Sequence, residues 1–158
     1  MKKYRIVICC LVFAWISFAV ADQTKDWREI VESLGDKYGK MMLDSEWGEL
    51  VECYDEEVVL MRPLSPPIVG LKAMKKELKE LTQQGMKYHS LSGEVNEGWQ
   101  CGDLIYERGT LAFSYSTKFQ PKPEAYYGSY FTVWKKQKDS SFKIKCSIWN
   151  LDFNPWEQ

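Results

Sequence analysis

Few side chains in this sequence have the type and spacing that chemistry requires. The one histidine, His89, stands between Tyr88 and Ser90 in a stretch that alternates like a strand. It could act as a base, but it stands alone, and a hydrogen-bonded or exposed imidazole is the better expectation. Cys53, Cys101 and Cys146 are too widely spaced for a zinc knuckle, so no metal site is implied. There is no glycine-rich phosphate loop, nucleophile elbow or paired metal-ligand motif. The chain does offer large rings, most with a polar tip: Trp27, Tyr38, Trp47, Tyr54, Tyr106, Tyr130 and Trp149. Rings at helical or strand spacing usually build a core, and the same rings can wall a pocket where one end faces open space.

The elements that would position them follow from periodicity. From Thr24 to about Asp44, Trp27, Ile30, Val31, Leu34, Tyr38, Met41 and Met42 recur at steps of three and four, which predicts a helix. Asp44-Ser45 can stop it and cap a second, short helix carrying Trp47, Leu50, Val51 and Tyr54. A strand begins at Val58, and Pro63, Pro66 and Pro67 suit a bent edge hairpin. Gly70 opens a third helix with Leu71, Met74, Leu78 and Leu81 on its apolar face, and Gly85 closes it. Its lysines, Lys72, Lys75, Lys76 and Lys79, read as an ordinary solvated face. Four long strands follow, at about 86–97, 103–118, 125–137 and 141–153, joined by short polar turns and therefore antiparallel. The fold class is α+β, with the helices packed on one face of a curved antiparallel sheet.

In the last strand, Phe142, Ile144, Cys146, Ile148 and Asn150 alternate with Lys143, Lys145, Ser147, Trp149, Leu151 and Phe153. The first set reads as the concave, helix-covered face. Asn150 would then be an isolated amide at its end, held by backbone or awaiting a ligand. The far end of the second set, with Phe131 and Val133, hints at an apolar patch on the outer face and at self-association.

At the N-terminus, Lys2, Lys3 and Arg5 precede an apolar run from Ile6 to Val20, and Ala19-Val20-Ala21 supplies the small residues of a cleavage site. This is the pattern of a secretory signal peptide over residues 1–21. The run falls short of the ~20 residues that span a bilayer, and Asp22-Gln23 directly after it argues against an uncleaved anchor. The expectation is export of a soluble, single-domain chain from residue 22 to 158, with no membrane association after cleavage. Loss of the leader removes Cys9 and Cys10, and three cysteines allow at most one bridge. The 158 residues include 45% hydrophobic and 15% aromatic side chains, enough for a core and too many for a disordered or collagen-like chain. A net charge of −1 argues against nucleic acid as a partner.

The order of elements resembles the cone-shaped fold of nuclear transport factor 2, ketosteroid isomerase and the SnoaL-like cyclases. Local segments add to the likeness: Tyr54-Asp55-Glu56 ending the second helix, Gly70-Leu71-Lys72-Ala73-Met74 at the third, and Gly102 through Thr110. Gly128 through Lys136 and Phe142 through Asn150 resemble the last two strands of the SnoaL-like branch of unassigned function. One departure is Ser147, where that branch often carries an Asp, so no acid–base role can lie there.

The resemblance implies three helices on the concave face of the cone and a mostly apolar pocket open at one end. Tyr54, Tyr106, Tyr130, Trp149 and Asn150 are then the expected ligand contacts. Enzymes of the superfamily use a pocket carboxylate as base, with a donor for the developing oxyanion. Asp55, Glu107, Asp152 and His89 are the candidates for the base, and Tyr54, Tyr106 and Tyr130 for the donor. No cofactor is implied. The leading expectation is an exported domain that binds a small hydrophobic or amphipathic molecule and dimerises through the outer sheet face. A cofactor-independent isomerase, cyclase or dehydratase, and a homo-oligomeric assembly module, are the alternatives.

Overall fold

The computed structural model describes residues 27–152. The expected signal peptide, the start of the first helix at Thr24 and the end of the last strand at Phe153 lie outside the described residues.

Helix α1 covers 27–43 within the described part. It buries Trp27, Val31 and Met41, with Ile30, Leu34, Tyr38 and Met42 packed beside them, on the face that the three–four spacing predicts. Its stop is made by backbone. Ser45 adopts the left-handed region at φ 58°, and the Glu46 amide donates to the Met41 carbonyl at 2.9 Å. No side chain caps the following α2, Trp47–Leu50. A 3₁₀ turn, Val51–Cys53, delivers the chain into β1, Tyr54–Met61. Tyr54 and Asp55 therefore begin a strand rather than end a helix. The proline segment turns β1 into the short edge strand β2, Ile68–Val69, and α3 follows at Leu71–Gln84. Gly85, at φ 64°, and the bonds from the Gly85 and Met86 amides to Thr82 and Leu81 close α3 as the terminal glycine predicts.

The remaining strands are β3, Lys87–Cys101, β4, Leu104–Ser116, β5, Glu124–Lys136 and β6, Phe142–Leu151. The sheet order is β2-β1-β6-β5-β4-β3. The last four strands form the expected meander. The sheet as a whole is mixed, because β1 lies parallel to β6. Strand β3 runs on to Cys101, beyond the predicted end, because shifts in register at His89 and Asn96 let it follow β4 round the bend.

One irregularity decides which side chains face the helices. Val133 pairs with Cys146 but Trp134 pairs with Ile144, so Lys145 is an extra residue in β6. The alternation reverses there. Phe142 and Ile144 face inward, and beyond the bulge Ser147, Trp149 and Leu151 do so. Ile148 and Asn150 turn to the outer face, and both are exposed. The expected concave placement of Asn150 is therefore corrected.

The core is built from Trp27, Leu50, Tyr54, Val58, Met74, Leu78, Ile105, Trp134 and Ile144 between helices and sheet. Glycine admits two close contacts. A Cβ on Gly98 would stand 2.6 Å from the Trp27 ring, and one on Gly109 would stand 2.8 Å from the Tyr130 ring and hydroxyl.

Candidate functional site

Alternation along β4 puts Ile105, Glu107, Phe113 and Tyr115 on the inner face, and their partners across β5 are Trp134, Thr132, Tyr126 and Glu124. One inner row is polar. Glu107 pairs with Thr132, Thr132 with Ser147, and Ser147 with Leu60. Thr132 and Ser147 share a hydroxyl hydrogen bond of 2.9 Å. Ser147 is thus inward and already partnered.

Glu107 is only 3% exposed. The Trp134 indole N–H donates to its Oε1 at 2.8 Å, while Oε2 is buried and has no partner among the described residues. Burial pushes its pKa up to about 7, against the smaller opposing effect of the Trp134 bond. The next inner row holds Tyr130, over Gly109, with Trp149 as its pair on β6. Burial, and then the charge of Glu107, raise the Tyr130 phenol above its ordinary value. Beyond them a half-buried aromatic wall continues. Tyr115 and Tyr126 stack at 5.3 Å, Phe113 and Tyr126 at 5.5 Å, and Trp149 meets Phe113 edge-on at 5.8 Å.

Tyr54 is also interior, but its hydroxyl is engaged with that of Tyr38 at 2.9 Å, and burial drives its pKa well up. Asp55 begins a different assembly. Its carboxylate takes the Glu57 amide at 3.1 Å and the Gln137 side chain at 3.1 Å, and it pairs with Lys135 at 3.3 Å and Lys145 at 3.6 Å. Burial raises its pKa, but the Glu57, Gln137 and Lys135 contacts outweigh that and hold it below the usual range. The group borders a cleft of about 520 Å³ together with Glu52, Glu56, Leu71 and Lys143. Such a saturated carboxylate is a structural ion-pair centre at the β6 bulge and a poor base.

The other candidates are dispersed. Tyr106 faces outward and stacks on Trp99 at 5.3 Å. His89 sits at the β3 irregularity, exposed, with Nε2 2.8 Å from the Ser116 hydroxyl. Asp152 is exposed and lines a cleft of about 400 Å³ with Glu94, Thr110 and Tyr127. Of the residues named from sequence, the structure brings together Glu107, Tyr130 and Trp149, and leaves Asp55, Asp152, His89, Tyr106 and Asn150 apart from them. Thr132 and Trp134 went unnamed, although alternation against Phe131 and Val133 points both inward. Cys53, Cys101 and Cys146 are all free thiols.

A bent mixed sheet wrapped on three helices is the decisive arrangement. The chain has the nuclear transport factor 2-like fold. It is similar to a ketosteroid isomerase-like protein from Erwinia carotovora atroseptica, at 14% identity over 80% of this chain and 96% of that one, with a TM-score of 0.69. It is also similar to a nuclear transport factor 2-like superfamily protein from Salmonella enterica, at 9% identity, covering 83% and 94%, with a TM-score of 0.67. ActVI-ORFA from Streptomyces coelicolor superposes at 11% identity, covering 79% and 96%, with a TM-score of 0.65. No family model matches the sequence, and no curated protein matches it. At these identities the likeness is one of fold, and a nuclear transport factor 2-like fold serves many chemistries.

Proposed function

We propose that this chain is an exported domain that binds a small amphipathic molecule inside the cone, with Glu107 as its polar anchor. The observation that carries the reading is Glu107 Oε2, buried and without a partner among the described residues, on the inner face that also carries Tyr130, Trp134 and Trp149. A buried carboxyl group without a second partner is uncommon in a native interior, and a ligand O–H or N–H would complete it. Rings along the same face would hold an apolar body. Export is supported by the basic start, apolar run and Ala19-Val20-Ala21 of the leader. Among the described residues, no helix is long and apolar enough to cross a membrane.

The test is native mass spectrometry of the protein recovered from an exporting host. The expected result is a chain beginning at Asp22 that carries a small molecule, lost in Glu107→Gln. Ligand-free protein from every host, or ligand retained by Glu107→Gln, overturns the reading.

A second reading has one specific observation behind it. A carboxyl group whose pKa lies near 7 is poised both to take and to return a proton at neutral pH, as acid–base isomerisation requires. Incorporation of solvent deuterium beside the carbonyl of a ketone such as 2-tetralone, abolished by Glu107→Gln, separates catalysis from binding alone.

A further inference from the structure

The two most exposed large apolar side chains among the described residues are Leu64, 98% exposed, and Phe119, 84% exposed. Leu64 lies on the connection from β1 to β2, and Phe119 on the connection from β4 to β5. Strand β1 runs parallel to β6, and the strands from β6 back to β3 alternate in direction. The ends of β1 and β4 and the start of β3 therefore lie at one end of the sheet, together with the last turn of α3. Both connections are fastened to that helix. Arg62 Nη1 donates to Glu77 at 2.5 Å, and the Lys118 amide and Nζ donate to the Gln84 and Gln83 carbonyls at 2.9 and 2.8 Å. The anchors Glu77 and Gln84 are separated by about two turns, or ~10 Å of helix rise.

Backbone holds each tip out. Leu64 sits at φ 55°, in the left-handed region that suits Gly or Asn, between Pro63 and the Pro66-Pro67 pair. The Thr117 hydroxyl accepts from the Phe119 and Gln120 amides at 3.2 and 3.0 Å, and the Thr117 amide donates to the Gln120 carbonyl at 2.9 Å, so Phe119 crowns a closed turn. The fold gains nothing from a large apolar side chain at either tip. The charge around them has one sign. Segments 62–67 and 117–123 carry Arg62, Lys118 and Lys122 and no acidic residue. Lys87, Lys118 and Lys122 are exposed, and among the described residues none of the three is ion-paired. Of the acids at this end, Glu77 is held by Arg62, Glu80 by Lys76, Glu124 takes the Tyr126 hydroxyl, and Asp152 faces the cleft of Glu94 and Tyr127.

We propose that this end of the molecule docks on an anionic lipid surface, with Leu64 and Phe119 entering the acyl boundary and Lys87, Lys118 and Lys122 resting on the headgroups. Charge complementarity selects the occupant: unpaired lysines beside apolar tips match a negatively charged bilayer, which receives both at once. A protein groove would ask for a contiguous apolar patch, whereas these tips rise singly from separate connections with Ser65 and Gln120 beside them. Such contact is peripheral and needs no spanning segment. It departs from the expectation of no membrane association, because the two tips stand far apart in the sequence and neither belongs to an apolar run. It is independent of what the interior binds.

Co-sedimentation with vesicles tests it, using chain recovered from an exporting host. Wild type is expected to bind phosphatidylcholine vesicles that contain phosphatidylglycerol at least ten-fold more tightly than vesicles of phosphatidylcholine alone. Leu64→Asn combined with Phe119→Ser removes both tips. Asn suits the left-handed backbone, and both side chains are exposed, so the thermal melt should stay unchanged. Binding to the anionic vesicles should fall at least ten-fold in this variant, and about ten-fold in Lys122→Glu. All variants share the wild-type N-terminus, so residual leader cannot produce the difference. Failure of wild type to bind anionic vesicles overturns the proposal, as does equal binding to both lipids or undiminished binding by the folded tip variant. If the tip variant melts early, Lys122→Glu decides, and unchanged binding by it overturns the proposal.

Discussion

Glu107 has a consequence for stability that needs no ligand to observe. Its folded pKa of about 7 lies above the ordinary carboxyl value. The folded state therefore holds a proton that the unfolded chain has already released. Stability contributed by this group is full below the unfolded pKa of ~4.3 and declines as pH rises toward 7. Well above pH 7 the buried charge is a net penalty of about 3 kcal/mol. Glu107→Gln keeps an acceptor for the Trp134 N–H and removes the titration. Urea unfolding from pH 5 to 8 should show the decline in wild type and a flatter profile in the variant, which becomes the more stable of the two at pH 8. Trp134→Phe should act in the opposite direction on the midpoint. The Trp134 bond favours the charged form, so its loss should move the decline to higher pH by the same measurement. In the sequence, Glu107 stood level with Asp55 and Asp152. Tyr106 and Glu107 alternate, and the bulky, amphipathic tyrosine looks like the inward residue. It is outward because the outer face is itself apolar here, with Trp99 and Phe131 beside Tyr106. When both faces of a strand carry rings, alternation fixes the period without naming the side.

The helices and the meander are legible because their apolar periods are long and their stops are glycine, proline or a short polar turn. The Lys145 bulge is silent for a physical reason. Phe142-Lys143-Ile144-Lys145-Cys146 keeps a perfect apolar–polar rhythm straight through the extra residue. The parallel pairing of β1 with β6 leaves no local trace either, since a pairing between strands so far apart in the chain has no turn to signal it. The device that holds the bulge is the Asp55 centre, with Lys145 also bonded to Glu57 at 2.5 Å. Removing the carboxylate strands the lysine charges beside a buried gap. Fully buried pairs lose ~3–5 kcal/mol when broken, and partial exposure of Lys135 and Lys145 reduces that, so Asp55→Ala should cost about 2 kcal/mol in urea unfolding at pH 7. The pH sign is opposite to that of Glu107. Asp55 has a depressed pKa, so its contribution is present above the unfolded value of ~3.9 and is lost as pH falls through the folded one. An acid titration should therefore show less loss of stability in Asp55→Ala than in wild type.

For the molecule as a whole, the same bulge that sends Ser147 and Trp149 inward sends Ile148 outward, so the site and the outer surface are set by one event. The outer face divides into two regions. Ser90, Ser92, Thr110 and Ser114 make one end polar, with Ser90 and Ser114 bonded to each other at 2.7 Å. The other end gathers Trp99, Tyr106, Phe131 and Ile148, of which Trp99 is 44% and Ile148 43% exposed. Tyr106 and Phe131 are half-buried and the Arg108–Glu97 ion pair lies among them, and an apolar patch rimmed by charge in this way is the kind of surface that marks association. A face-to-face dimer places each patch on its copy and could bury the ~800 Å² per partner of a stable interface. Phe131→Glu puts a charge at the middle of that patch, next to the exposed Arg108–Glu97 pair, where it must be desolvated for a copy to dock. Sedimentation equilibrium at micromolar concentration is expected to give a dimer for the wild type and a folded monomer for Phe131→Glu. Ser114→Glu, on the polar end of the same face, is expected to remain dimeric. A wild type that sediments as a monomer refutes the proposed interface, and so does a Phe131→Glu variant that still dimerises.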